Sequence, residues 1–164
     1  MIALVMGVSG SGKTTVGQAL ARKLGWRFVE GDDLHPPANV AKMHSGVPLT
    51  DADRWPWFDR IVADMRRINA AGENAVIACS ALKAAYRDRL AQGGDMRVVY
   101  LKGDAASIES RIRHRTGHFM PASLLPSQFA TLEEPKEAIV VDIGEPVAQQ
   151  VATIVRALGY ALPA

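Results

Sequence analysis

The chain has 164 residues, 48% of them hydrophobic and 22% charged, with a formal net charge of +2 and one cysteine, Cys79. That length suits one domain, and that balance excludes a disordered chain. The charge is too weak to imply nucleic acid, one cysteine excludes an internal disulfide framework, and no apolar run approaches the ~18 residues of a membrane span.

Ile2 to Met6 is a short continuous apolar run, the mark of a strand buried on both faces. It has no basic stretch before it and is too short for a secretory signal, so a soluble, cytoplasmic protein is expected. A glycine-rich turn follows, then a helix from Thr15 to Leu24 with Val16, Leu20 and Leu24 at helical spacing and Gly25 as its stop. Trp26 to Val29 reads as a second strand, ending at Glu30-Gly31-Asp32-Asp33. His35 to Leu49 reads as loop with a short helix. Asp51 or Asp53 can cap a helix running to about Ala71, with Pro56 tolerated near its first turn. Ala75 to Cys79 is a third strand, Leu82 to Ala91 a helix, Arg97 to Leu101 a fourth strand and Ala105 to Arg115 a helix. Ala138 to Asp142 and Pro146 to Leu158 close the chain as strand and helix.

Strands alternating with helices predict a single α/β domain over 1–164, a five-stranded parallel sheet with helices on both faces. The stretch from Thr116 to Lys136 interrupts the alternation and holds three prolines. A segment of that kind is expected to be a lid or binding loop.

Gly7-Val8-Ser9-Gly10-Ser11-Gly12-Lys13-Thr14 matches the phosphate-binding pattern G-x-x-x-x-G-K-[ST] at every fixed position. Glycines let backbone N–H groups converge on phosphate oxygens, and the helix that follows adds the positive end of its dipole. Lys13 is expected to reach the β- and γ-phosphates of ATP, the Thr14 hydroxyl to ligate Mg²⁺, and Thr15 to belong to the same cradle. No guanine-reading N-K-x-D segment exists, which argues against a GTPase, and small size with a lid argues against a motor or transporter ATPase. A small-molecule kinase remains. Arg111 and Arg115 sit four apart on the helix entering the lid, Arg111 suited to stacking on adenine and Arg115 to stabilising the transferring phosphoryl group.

Several further stretches carry a resemblance: Gly31-Asp32-Asp33-Leu34-His35-Pro36, then Asn39 with Lys42-Met43, and Gly46 to Trp57 with its Arg54-Trp55-Pro56-Trp57. Cys79-Ser80-Ala81-Leu82-Lys83, Tyr86-Arg87-Asp88, His118-Phe119-Met120-Pro121, Leu124-Leu125, Ser127-Gln128-Phe129 and Leu132-Glu133 complete it. Over almost its whole length the chain resembles the gluconate kinase family (gluconokinases), departing from it at Ala52, where the family often has a second acid. The resemblance implies a P-loop kinase fold, ATP-dependent phosphorylation of the 6-hydroxyl of D-gluconate, and a homodimer. Related builds acting on shikimate or a nucleoside monophosphate, or a non-catalytic nucleotide-binding regulator, are the alternatives.

Within that resemblance, Asp32 looks like the aspartate that orients the acceptor hydroxyl, at the carboxyl edge of the sheet where such folds bind ligands. Arg54 suits the carboxylate of gluconate through bidentate pairing. His35 and His118 could meet sugar hydroxyls, His118 from the lid. Lys83 and Arg87, four apart on one expected helix, could meet substrate or γ-phosphate.

Overall fold

A computed structural model of the chain describes residues 1–114 and 122–161. Five strands form one parallel sheet: β1 Ile2–Met6, β2 Arg27–Glu30, β3 Ala75–Ala78, β4 Met96–Lys102 and β5 Ile139–Asp142, in the spatial order β2-β3-β1-β4-β5. Among the described residues the helices are α1 Lys13–Leu24, α2 Pro37–His44, α3 Asp51–Ala70, α4 Ala84–Ala91, α5 Ala105–Arg113, α6 Leu125–Thr131 and α7 Val147–Ala157.

β1 is central because both its faces are apolar. Ile2, Leu4 and Met6 face one layer, Ala3 and Val5 the other, and all five are fully buried. The first layer is closed by α3 and α4 through Phe58, Ile61, Met65 and Leu90, the second by α1, α5 and α7 through Val16, Leu20, Ile108 and Ile154. Each such side chain contributes about 1.5–3 kcal/mol on burial, so these two layers, not the loops, hold the sheet. β1 pairs with β3 on one side and β4 on the other, in parallel register. The connections therefore diverge at the carboxyl end of β1, the place where open α/β sheets bind ligands.

Several boundaries differ from the sequence expectation, each for a local reason. β2 starts at Arg27 because the Trp26 N–H is spent closing α1, donating to the Ala21 carbonyl at 2.9 Å. The cap of α3 is Thr50, not Asp51 or Asp53. The Thr50 hydroxyl accepts from the Asp53 N–H at 3.2 Å, and the Asp53 carboxylate accepts from the Thr50 N–H at 2.9 Å, a reciprocal capping box. Pro56 lies inside α3, which continues through it. α4 begins two residues later than expected, because Ala81 turns the chain at φ 46 and Lys83 is still extended as the residue before the first turn. The expected lid is partly helical: a 3-10 turn at Ala122–Leu124 leads into α6, with Leu124 and Leu125 each 4% exposed.

Candidate active site

The phosphate cradle is built by backbone. Gly10 and Gly12 hold φ 81 and 97, values that side-chain-bearing residues rarely adopt. Gly12 is the residue before α1, and no side chain caps that helix and no acid lies in its first turn. No competing anion thus stands at the positive end of the α1 dipole, which faces the cradle. Lys13 curls back over the loop and donates from Nζ to the Val8 carbonyl at 3.0 Å. Two buried polar atoms among the described residues, Ser11 Oγ and Gln150 Oε1, have no protein partner, and both residues line a pocket beside the cradle.

Two recesses meet at the cradle. The first is lined on one side by Ser9, Gly10, Gly12, Lys13 and Thr14, and on the other by Asp32, His35, Arg54, Trp57 and Tyr86. Met43, Pro48, Leu49 and Leu124 give it an apolar rim. The second is lined by Ser11, Thr15, Val16, Arg111, Ile143 and Gln150. There Arg111 donates to the Ile143 carbonyl at 2.7 Å, which fixes its guanidinium at the edge of the recess. Of the cradle residues, Gly7 and Val8 line neither recess. Gly7 instead donates to the Ser80 carbonyl, and Val8 supplies the carbonyl that holds Lys13.

On the acceptor side, a 3-10 turn over Gly31–Leu34 delivers Asp32 from the end of β2. Burial raises the Asp32 pKa, and the nearby Lys13 ammonium opposes that rise. His35 is buried and stacks on Trp57 with ring centroids 3.7 Å apart. Burial, helped by the Arg54 charge, lowers its pKa to about 4, so it is neutral at physiological pH. Arg54 comes from the first turns of α3. It donates to the Tyr86 hydroxyl at 2.9 Å and stands 3.8 Å from the Asp51 carboxylate. Tyr86 in turn donates to Asp51, and its own pKa is raised to about 12, first by burial and then by that bond.

The expected cluster of Lys83 and Arg87 does not form a face of one helix. Lys83 precedes α4 and pairs with Asp51 at 3.3 Å, outside the residues lining the recess of Asp32 and Arg54. Arg87 is committed elsewhere: it donates to the carbonyls of Ala81 at 2.8 Å, Leu82 at 3.0 Å and Glu133 at 2.8 Å. Its guanidinium secures the turn at Ala81 and the strap after α6, so the structure does not bring it to the recess. Arg115 and His118, expected in the lid, lie outside the described residues.

A family profile described as an AAA domain matches residues 2–135. A gluconokinase from Gluconobacter oxydans is 56% identical over 134 residues, covering 80% of this chain and 75% of that protein. The chain belongs to the gluconokinase family. Among solved structures, a gluconokinase from Sinorhizobium meliloti superposes with a TM-score of 0.82 at 46% identity, covering 95% of this chain and 90% of the other. A sugar kinase from Janibacter sp. superposes with a TM-score of 0.92 at 46% identity, covering 98% and 95%.

This gluconokinase-family chain also places residues at the site to which the sequence reading assigned no role. Glu30, the last residue of β2, accepts from the Thr14 hydroxyl, and burial raises its pKa. Hydroxyl and carboxylate are hard oxygen donors of the kind Mg²⁺ takes, so Thr14 and Glu30 fit that ion. The buried Gln128 side chain of α6 accepts from the Ser9 N–H at 2.7 Å, tying the end of the expected lid to the cradle. Asn39 and Tyr86 hold His35 and Arg54. Asn39, Tyr86 and Gln128 sit within stretches that carry the family resemblance, which was their one signal; Glu30 stood beside Asp32 and had none of its own.

Proposed function

We propose that this protein transfers the γ-phosphoryl group of ATP to the 6-hydroxyl of D-gluconate, giving 6-phospho-D-gluconate. The observation that carries the reading is that one recess is lined by phosphate chemistry, Lys13 and Thr14, and opposite it by hydroxyl and carboxylate chemistry, Asp32, His35 and Arg54. Backbone N–H groups of the cradle at Gly10, Gly12, Thr14 and Thr15 hold the phosphates, and Lys13 balances charge that builds on the oxygens during transfer. Arg111 covers the base in the second recess. Thr14, with Glu30 behind it, would hold Mg²⁺, which would neutralise phosphate charge when bound. Asp32 accepts the hydroxyl proton and aims the oxygen, while Arg54 pairs with the carboxylate of the sugar acid. The apolar rim excludes water, the competing nucleophile.

The stretch over 116–136 is the proposed lid of this single domain, and Arg115 and His118 keep their proposed roles toward the transferring phosphoryl group and the sugar hydroxyls. Cytoplasmic location and a homodimer complete the reading; no helix among the described residues is long and apolar enough to cross a membrane. A coupled assay of ADP release tests the proposal across sugar acids, shikimate and nucleoside monophosphates. Gluconate-dependent release is expected; turnover with shikimate or a nucleotide in its place would refute it. Arg54→Ala is expected to raise the KM for gluconate much more than that for ATP, and equal effects would remove Arg54 from the acceptor site.

A further inference from the structure

The partners of His35 leave its ring a single protonation state. The Asp53 carbonyl accepts from Asn39 Nδ2 at 2.9 Å. A carbonyl can only accept, so this contact fixes which end of the buried Asn39 amide is nitrogen. The same nitrogen lies 3.2 Å from His35 Nδ1 and has its second proton to give. Nδ1 is then the proton-free nitrogen, and the ring proton sits on Nε2. Nε2 stands 3.9 Å from Asp32 Oδ1, beyond hydrogen-bond reach of it.

We propose that Asn39 is a positioning residue that holds His35 as its neutral Nε2–H tautomer, and that this N–H and the Asp32 carboxylate together recognise one hydroxyl group of the acceptor. A hydroxyl has one proton to give and lone pairs to receive one. An oxygen about 2.8 Å from each atom spans a 3.9 Å gap between donor and acceptor. With the proton on Nδ1 instead, two acceptors would face a hydroxyl that can satisfy only one of them. Asn39 thereby sets the polarity of this corner of the site without touching substrate.

Apart from Asn39, the groups facing the ring come from α3 and from the turn after β2. From α3, Arg54 adds positive charge that opposes protonation, and Trp57 stacks on the ring at an interplanar angle of 22°. The Trp57 indole is itself fixed by donating to the Gly31 carbonyl at 2.8 Å. The Asp53 carboxylate is engaged by Lys42 and the Thr50 N–H and does not serve the ring. From the turn after β2, Asp32 is the anion that faces Nε2 among the described residues, and Lys13 lies beside Asp32. Burial, followed by the Arg54 charge, lowers the ring's pKa to about 4.

The inference rests on the acceptor-site reading above, and its test is independent of turnover. Long-range ¹⁵N–¹H spectra of the whole protein, with His35 assigned by its loss in His35→Gln, read the tautomer directly. The expected spectrum shows Nε2 protonated and Nδ1 bare from neutral pH down to about pH 5. Asn39→Asp puts an acceptor where the donor stood. Its ring should take up a proton at Nδ1 near neutral pH and raise the KM for gluconate roughly tenfold with the KM for ATP unchanged. His35→Gln, which keeps an N–H near the Nε2 position, should retain more kcat/KM than His35→Asn, which does not. A wild-type spectrum with Nδ1 protonated overturns the proposal, as do equal losses in the Gln and Asn variants. Both readings stand without the Asn39 variant, should it fail to fold. A protein with the expected spectrum that is inert toward gluconate would refute the proposed substrate and still support the tautomer.

Discussion

Acidification offers a quantitative test of how His35 is held. Its pKa falls from 6.5 to about 4 in the folded protein, so between those values the unfolded chain binds a proton that the folded chain refuses. Stability is then lost as pH falls through that window, and none of this loss occurs above it. At 1.36 kcal/mol per pH unit, the cost between pH 7 and pH 4 is about 3 kcal/mol. The His35 side chain is 2% exposed, so solvent screening does little to reduce that figure. Other groups titrate nearby. Glu30 and Asp32, raised by burial, add stability as pH falls, and Asp53, held at about 2 chiefly by Lys42, loses its contribution only at lower pH. The clean quantity is therefore a difference. Urea unfolding of wild type and His35→Gln at matched pH values should show wild type losing about 3 kcal/mol relative to the variant between pH 7 and pH 4. Parallel stability curves would refute a buried, neutral His35.

Three further outcomes follow from the geometry. Lys13→Ala should lower kcat/KM by a factor on the order of 10²–10³ with the urea midpoint little changed, because the proposed role of Lys13 is to serve charge on the transferring group; unfolding of the variant would contradict that role. Arg87→Ala removes the donor to three carbonyls and should cost about 2–4 kcal/mol in urea unfolding while leaving the KM for gluconate unchanged; a raised KM without loss of stability would return Arg87 to the substrate. Thr50→Ala should cost about 1 kcal/mol through the lost capping box, measured the same way, and a neutral result would show that the Asp53 carboxylate caps α3 unaided.

The parts legible in the sequence are those whose physics is local. The cradle is eight consecutive residues whose glycines, lysine and threonine each act near their own place in the chain. The strands announce themselves as apolar runs because both faces of this parallel sheet are covered. Local ambiguity already blurs the cap of α3: Thr50, Asp51 and Asp53 all have capping side chains, and only the reciprocal bond between Thr50 and Asp53 separates them.

What stayed hidden is which charged groups are already spent. Arg54 and Arg87 are both arginines on helices beside the site, and residue type ranks them equally. Arg87 is committed to backbone carbonyls, one of them Glu133, 46 positions away. Every residue carries a carbonyl, so no side-chain pattern marks the ones that will capture a cation. The same holds for donors in the cradle: the Ser9 N–H meets Gln128 across 119 positions. Asp51 shows the consequence within one carboxylate. Lys83 reaches it from outside the recess, whereas Arg54 stands 3.8 Å from it, bonds to Tyr86 and still lines the recess. Two cations that composition treats alike are divided by the backbone on which each is mounted, Lys83 extended before α4 and Arg54 on the first turns of α3. That placement, more than charge, makes Arg54 the candidate for the sugar acid's carboxylate.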